Sequence, residues 1–113
     1  MADCVFCRIA SGEVEAEVLH SSEEVVAFRD AHPQAPTHIL LVPREHLRSL
    51  QDLGDQHADM LSELFLTAAR LAEAEGVDHS GWRMVVNVGP HAGQVVFHLH
   101  FHLMGGRPMG RFA

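Results

Sequence analysis

The sequence predicts an α+β domain with a mainly antiparallel, five-stranded sheet, one main helix and one short helix. Three observations carry this. Short β-like runs come first, one long amphipathic stretch follows, and β-like runs return at the end. The last run alternates with period two, as a strand does. Glycine and proline punctuate the runs where turns are needed.

Residues 17–20 (Glu-Val-Leu-His) and 24–29 (Glu-Val-Val-Ala-Phe-Arg) read as paired strands, with Ser21-Ser22-Glu23 as a hairpin turn. The stretch from Asp30 to Pro36 is a loop, because Pro33 and Pro36 exclude regular pairing. Thr37 to Val42 is a continuous apolar strand that stops at Pro43. A short helical turn is expected around Glu45 to Leu50. Asp55 can cap the next helix, along which Leu61, Leu64, Phe65, Ala68, Leu71 and Ala72 recur at helical spacing. Gly76 suits its stop position. Arg83 to Val88 reads as a strand, residues 89–93 as a tight loop, and Val95 to Met104 as the final strand, ended by Gly105-Gly106.

A length of 113 residues points to one domain, 1–113. The formal net charge is −7, with 15 acidic against 8 basic residues and no basic cluster. A nucleic-acid backbone is therefore not an expected partner. A single nucleotide remains open, because backbone N–H groups can hold a phosphate without a basic surface. The N-terminus lacks the basic start and apolar stretch of a signal peptide. The longest aliphatic run, Ile39 to Val42, is too short to cross a bilayer, so no membrane partner is expected. Cys4 and Cys7, so near a chain end, make a poor disulfide framework. A cytoplasmic, reducing compartment is the expectation.

The last strand carries the chemistry. Val95, Phe97, Leu99, Phe101 and Leu103 occupy one face, and Val96, His98, His100, His102 and Met104 the other. Three imidazoles thus stand in a row, each roughly 7 Å from the next by strand rise. They fit a solvated face, a zinc site of the His-x-His kind, or covalent catalysis by a neutral imidazole.

Residues 94–104, Gln-Val-Val-Phe-His-Leu-His-Phe-His-Leu-Met, resemble the His-φ-His-φ-His-φ-φ signature of the histidine-triad family, where φ is apolar. Further segments resemble its Hint branch: Asp30, Pro33-Gln34-Ala35-Pro36-Thr37-His38, Val42-Pro43, Arg83 to Asn87, and Gly105-Gly106-Arg107. The resemblance runs from about Val5 to Met109, a core of about 5–109 followed by a tail at 110–113. It implies the family fold, with the sheet continued across a homodimer.

The resemblance also assigns roles. His100 would be the nucleophile that attacks an α-phosphorus and forms a nucleotidyl-histidine, which water then cleaves. Its other ring nitrogen should donate to a backbone carbonyl. His102 would contact the phosphate or leaving group, and His38 would complete the polar cluster with His98 and tune protonation. The acid that protonates the leaving amine stays open between His102 and His38. Gly93-Gln94-Val95 would cradle the phosphate, with Asn87 near phosphate and ribose. Asp30 and the adjoining Ala31 would meet the ribose, a carboxylate being a fitting acceptor for a cis-diol. Phe6, Ile9, Val14 and Phe28 would form an apolar slot for the base. Taken singly these four are ordinary core residues, Asp30 an ordinary loop start and Asn87 an ordinary strand end. Hint proteins often carry serine where this chain has Val95, so one phosphate contact is missing.

Two cysteines make half a zinc site. By analogy with histidine-triad relatives, including galactose-1-phosphate uridylyltransferases, the ligands would be Cys4, Cys7, His46 and His98. Such a closed set would be structural, with no cofactor required for catalysis. Two free thiols are the plain alternative. His20, His32, His57, His79 and His91 are expected at the surface.

The implied function is hydrolysis of purine nucleoside phosphoramidates or aminoacyl-adenylates, with a purine nucleotide of the AMP or GMP type as ligand. A nucleotide-binding scaffold with incidental hydrolysis is one alternative, and a dinucleoside-polyphosphate hydrolase another. The tail lacks the tryptophan that Hint tails often carry.

Overall fold

The computed structural model describes residues 4–111. Along them run α1 (Val5–Ala10), β1 (Val18–Ser21), β2 (Val25–Arg29), β3 (Thr37–Pro43), α2 (Ala58–Ala74), β4 (Trp82–Val86) and β5 (Phe101–Gly105). Single 3₁₀ turns lie at Leu50–Asp52, Asp55–His57 and Pro90–Ala92. The five strands form one antiparallel sheet in the order β1-β2-β3-β5-β4. The unbroken apolar run of β3 fits its central place, where both faces are covered and every residue is buried. Phe112 and Ala113 of the expected tail lie outside the described residues. Among the described residues, no helix is long and apolar enough to cross a membrane.

Period-two alternation gives the two faces of the sheet different work. Val25, Ala27, Ile39, Leu41, Phe101 and Leu103 turn toward α2 and form the main core with Met60, Leu64 and Ala68. Val26, Phe28, Leu40 and Val42 turn the other way and pack on Phe6 of α1. Register places Leu40 of β3 between Phe28 of β2 and His102 of β5. His38, two residues before Leu40, shares that second face.

Leu64 is fully buried at the centre of the α2 contact. Leu64→Ala is expected to cost about 2–5 kcal/mol. The urea midpoint should fall while the slope of the transition stays unchanged.

The ends of α2 are set by local chemistry. Gly76 takes a φ of 74° after the last turn, as its sequence position predicts. Arg29 of β2 then grips the helix end, donating to both carboxylate oxygens of Glu75 at 2.7 and 2.9 Å. This bidentate pair holds the Glu75 carboxyl below its ordinary range and raises the Arg29 guanidinium. At the other end, the structure corrects the expected cap. Asp55 opens a 3₁₀ turn instead, and the Gly54 N–H donates to Nδ1 of His57 at 2.9 Å. With Nδ1 accepting, Nε2–H faces Glu45 at 3.2 Å. His57 is therefore buried, not at the surface. His20 is half-buried beside Glu63, while His32, His79 and His91 are exposed.

Two further expectations differ from the structure. The short helix is not at Glu45 to Leu50, where only the 3₁₀ turn at Leu50–Asp52 forms. It is α1, six residues long and too short to show periodicity. Its cap is Cys4, whose sulfur accepts the Cys7 N–H at 3.3 Å. The final strand is also shorter than predicted. Its pairing with β3 begins at Phe101, opposite Leu41. Before that point the chain makes other contacts: Leu99 N–H donates to Leu47 at 2.7 Å, and the His98 ring reaches Pro43. The apolar face accordingly holds for Leu99, Phe101 and Leu103, whereas Val95 and Phe97 are exposed.

Candidate active site

His100 sits where the segment before β5 meets the second face of the sheet, and it is 8% exposed. Its Nδ1 lies 2.7 Å from the carbonyl oxygen of His98. A carbonyl can only accept, so Nδ1 carries the proton and Nε2 keeps a lone pair. The expected backbone partner is thus present. Phe6 covers the ring edge-on, with centroids 5.0 Å apart.

Hydrogen bonding also fixes the tautomers of His38 and His102. The Gln34 N–H donates to His38 Nδ1 at 2.9 Å. Proton-bearing Nε2 of His38 therefore donates to Nδ1 of His102, also at 2.9 Å. His102 is left with its own proton on Nε2. Burial, helped by the neighbouring positive charge that His100 and His38 would carry, pushes His102 down to about 4. Burial lowers His38 as well, against the pull of Asp30, whose Oδ2 is 3.5 Å from Nε2. Asp30, His38 and His102 lie close enough to suggest a metal site. The Gln34 bond argues against one, since a ligating Nε2 would leave His38 with no ring proton and two acceptors.

These depressed values have a consequence for stability. Both rings are neutral when folded, and an unfolded histidine protonates near 6.5. As pH falls below about 6.5 toward the His102 value of about 4, the unfolded chain thus binds more protons than the native one. The contribution is complete above pH 6.5 and is lost as pH falls through the folded value. Because solvent reaches part of the His102 ring, the loss should be of order 1–2 kcal/mol. Denaturant titrations at pH 7 and pH 4.5, compared with the same pair in His38→Gln, measure it.

A cleft of about 790 Å³ opens beside His100 and His102. Phe6, Ile9, Val14 and Phe28 line it, as do Asp30, Ala31 and Val95. Sequence reasoning missed Leu40 and Val96, which also line it; the register of Leu40 against Phe28 was the available signal. Among the described residues, Arg29 is the only guanidinium lining the cleft, and Glu75 and Glu17 already hold it. Asp30 keeps acceptor capacity, although Oδ1 takes the His32 N–H at 2.8 Å.

The loop before β5 differs from its expected role. Gly93 has a φ of 85° and closes the turn at Pro90–Ala92, which is what its lack of a Cβ permits. Its N–H bonds Pro90, and the Gln94 N–H bonds Gly89. The Gln94 side chain is buried, accepting from Gly89 and donating to Arg48 and Val96. Asn87 donates to Ala92 at 2.8 Å and braces the same loop. Gly93, Gln94 and Asn87 are therefore occupied within the loop and do not line the cleft. The N–H groups of Val95 and Val96 have no partner among the described residues, so the free donors lie one step later than the sequence suggested.

On the far side of His98, Cys4, Cys7, His46 and His98 bring one donor atom each within 4.8 Å of one another. Nδ1 of His98 is 3.3 Å from the sulfur of Cys4 and 3.5 Å from that of Cys7, and His46 Nδ1 is 3.3 Å from Cys7. A tetrahedral zinc, with its usual bond lengths, sets sulfur and nitrogen about 3.5 Å apart. Nε2–H of His98 donates to the Pro43 carbonyl at 2.8 Å, which leaves Nδ1 free to ligate. The donor set thus fits zinc. Without a cation the Cys7 sulfur resists ionisation: burial, reinforced by Cys4, pushes its thiol up to about 11.

A family profile described as HIT domain matches residues 11–109. A purine nucleoside phosphoramidase of Escherichia coli (strain K12) is 39% identical over 108 residues, 96% of this chain and 91% of that one. A 14 kDa zinc-binding protein of Brassica juncea is 44% identical over 109 residues, 95% and 96% of the two chains. The crystal structure of a HIT family hydrolase from Legionella pneumophila Philadelphia 1 is similar with a TM-score of 0.93 at 44% identity, covering 96% of each chain.

Proposed function

The chain belongs to the HIT domain family, and from that premise we propose that it is a nucleotide-binding hydrolase acting through a covalent nucleotidyl-His100 intermediate. Its substrates are purine nucleoside phosphoramidates or aminoacyl-adenylates, and its product is a nucleoside monophosphate. The observation that carries this is the tautomer of His100: Nδ1–H is committed to the His98 carbonyl, so the Nε2 lone pair is available beside the cleft.

The base enters the slot of Phe6, Ile9, Val14 and Phe28, and Asp30 accepts from the ribose hydroxyls with Ala31 alongside. The α-phosphate meets the N–H groups of Val95 and Val96. Attack by His100 Nε2 forms an N–P bond, the bond to the leaving group breaks, and its electron pair departs with the leaving nitrogen of a phosphoramidate or the leaving oxygen of an aminoacyl-adenylate. His102 hydrogen-bonds that atom through Nε2–H, and solvent supplies the proton that a leaving amine needs. His38 acts through His102, holding its Nδ1 as an acceptor. Water then cleaves the histidine–phosphorus bond, its hydroxyl going to phosphorus and its remaining proton to solvent, and His100 Nε2 regains its lone pair. A cleft whose lining arginine is already held by two carboxylates suits a single phosphate charge better than a polyphosphate.

Cys4, Cys7, His46 and His98 would hold a structural zinc. It would supply cross-linking, not chemistry, since four protein ligands leave no open position. The homodimer forms through the free edge of β4, assisted by the exposed Phe65 and Leu66 of α2.

The test is release of AMP from adenosine 5′-phosphoramidate, followed beside AMP binding and beside a dinucleoside polyphosphate. Turnover of the phosphoramidate at a kcat/KM far above that of the polyphosphate is expected. Val95, an exposed apolar side chain where a hydroxyl would serve the phosphate, favours a second reading as a nucleotide-binding scaffold. Tight AMP binding without catalytic turnover supports that reading and rejects the hydrolase.

A further inference from the structure

We propose that Cys4 and Cys7 are positioning residues for the nucleotide site: with His46 and His98 they clamp helix α1, and α1 is the wall that grips the base. The proposal rests on the nucleotide site described above.

Helix α1 has six residues, too few to persist alone in water. It is nevertheless the element that brings Val5, Phe6 and Ile9 to the cleft. Phe6 makes two ring contacts there, 5.6 Å from Phe28 and 5.0 Å from His100 by centroid. Three attachments hold the helix. Phe6 packs among Val26, Phe28, Leu40 and Val42. Arg44 donates to the Ala10 carbonyl at the C-terminal end, at 2.6 Å. The first turn is fixed by the sulfurs of Cys4 and Cys7 against His98 and His46. A metal in that cluster therefore ties the wall to the catalytic segment.

The hydrogen bonds that orient His100 are separate from this tie. Its Nδ1–H is held by the His98 carbonyl, the His98 ring by Pro43, and Leu99 N–H by Leu47. None of these bonds passes through α1. Losing the clamp should free the wall and spare the nucleophile, so affinity changes and the chemical step does not.

Oxidation offers a reversible way to release the clamp. The two sulfurs lie within 4.8 Å of each other, three residues apart. With hydrogen peroxide as oxidant, the two thiolates give up two electrons and join in a disulfide. The O–O bond breaks, accepts those electrons with two protons, and leaves as two waters. The metal departs as both sulfur ligands are consumed. A thiol reductant with added zinc reverses the change.

The experiment uses the full chain loaded with zinc. Metal release is followed with a chromophoric chelator during peroxide treatment, AMP affinity by calorimetry, and kcat and KM on a phosphoramidate. One zinc per chain should be released and the AMP Kd should rise roughly tenfold, as when the competent wall is populated about a tenth of the time. At saturating substrate, kcat should stay within about twofold. His46→Ala should lose metal and affinity together, and His46→Cys, which keeps four ligands, should retain both. A chain that binds no zinc overturns the proposal. So does metal loss that lowers only the melting temperature, or only kcat, with AMP affinity unchanged. Failure of the zinc-loaded chain to bind AMP at all instead rejects the nucleotide site itself.

Discussion

Replacing His100 with alanine is expected to lower turnover by about 10⁴-fold or more while AMP affinity stays within a few-fold. The ring supplies the lone pair that makes the new bond, and no neighbour can substitute. Nδ1 of His102 is committed to His38. His98 is fully buried, with Nε2 on Pro43 and Nδ1 facing the cysteine sulfurs. Affinity should persist because the base and ribose contacts lie elsewhere in the cleft. Single-turnover kinetics on a phosphoramidate and calorimetry with AMP, on the same sample, separate the two effects.

Substitution of His38 is expected to produce the next largest loss. His38→Met removes the donor that holds the proton of His102 on Nε2, and kcat should fall about 10²-fold. His38→Gln places an amide N–H where the imidazole N–H stood and should recover most of that loss. A role limited to packing gives the opposite order, because methionine fills a buried site better than an amide does. The pair of variants, compared by kcat with KM measured alongside, distinguishes tautomer control from packing.

Much of this arrangement was legible in the sequence. The alternation of His98, His100 and His102 with Leu99, Phe101 and Leu103 gave the two faces of the last segment. The spacing of Leu64, Ala68 and Ala72 gave the buried stripe of α2. The Cys-x-x-Cys pair, joined by resemblance to His46 and His98, gave a cluster that the structure assembles. What escaped depends on local competition for hydrogen bonds. Nothing in the order Gly93-Gln94-Val95 reveals that the first two N–H groups turn back to Pro90 and Gly89. The sequence reads His57 as a surface residue because it cannot show that its Nδ1 turns back to accept the Gly54 N–H. Helix α1 was invisible for a related reason: six residues hold their shape through cysteine and phenylalanine contacts with distant strands, not through periodicity.

The order of events at His100 can be observed directly. A phosphoramidate is mixed with the chain, the reaction is stopped at early times in alkaline denaturant, and the peptides are mapped by mass spectrometry. One nucleotidyl group should appear on the peptide carrying His100, at a rate no slower than product release, and fragmentation should place it on that ring. It should vanish in acid and be absent from His100→Ala. Steady hydrolysis with no adduct, or an adduct localised to His98 or His102, contradicts the covalent role of His100.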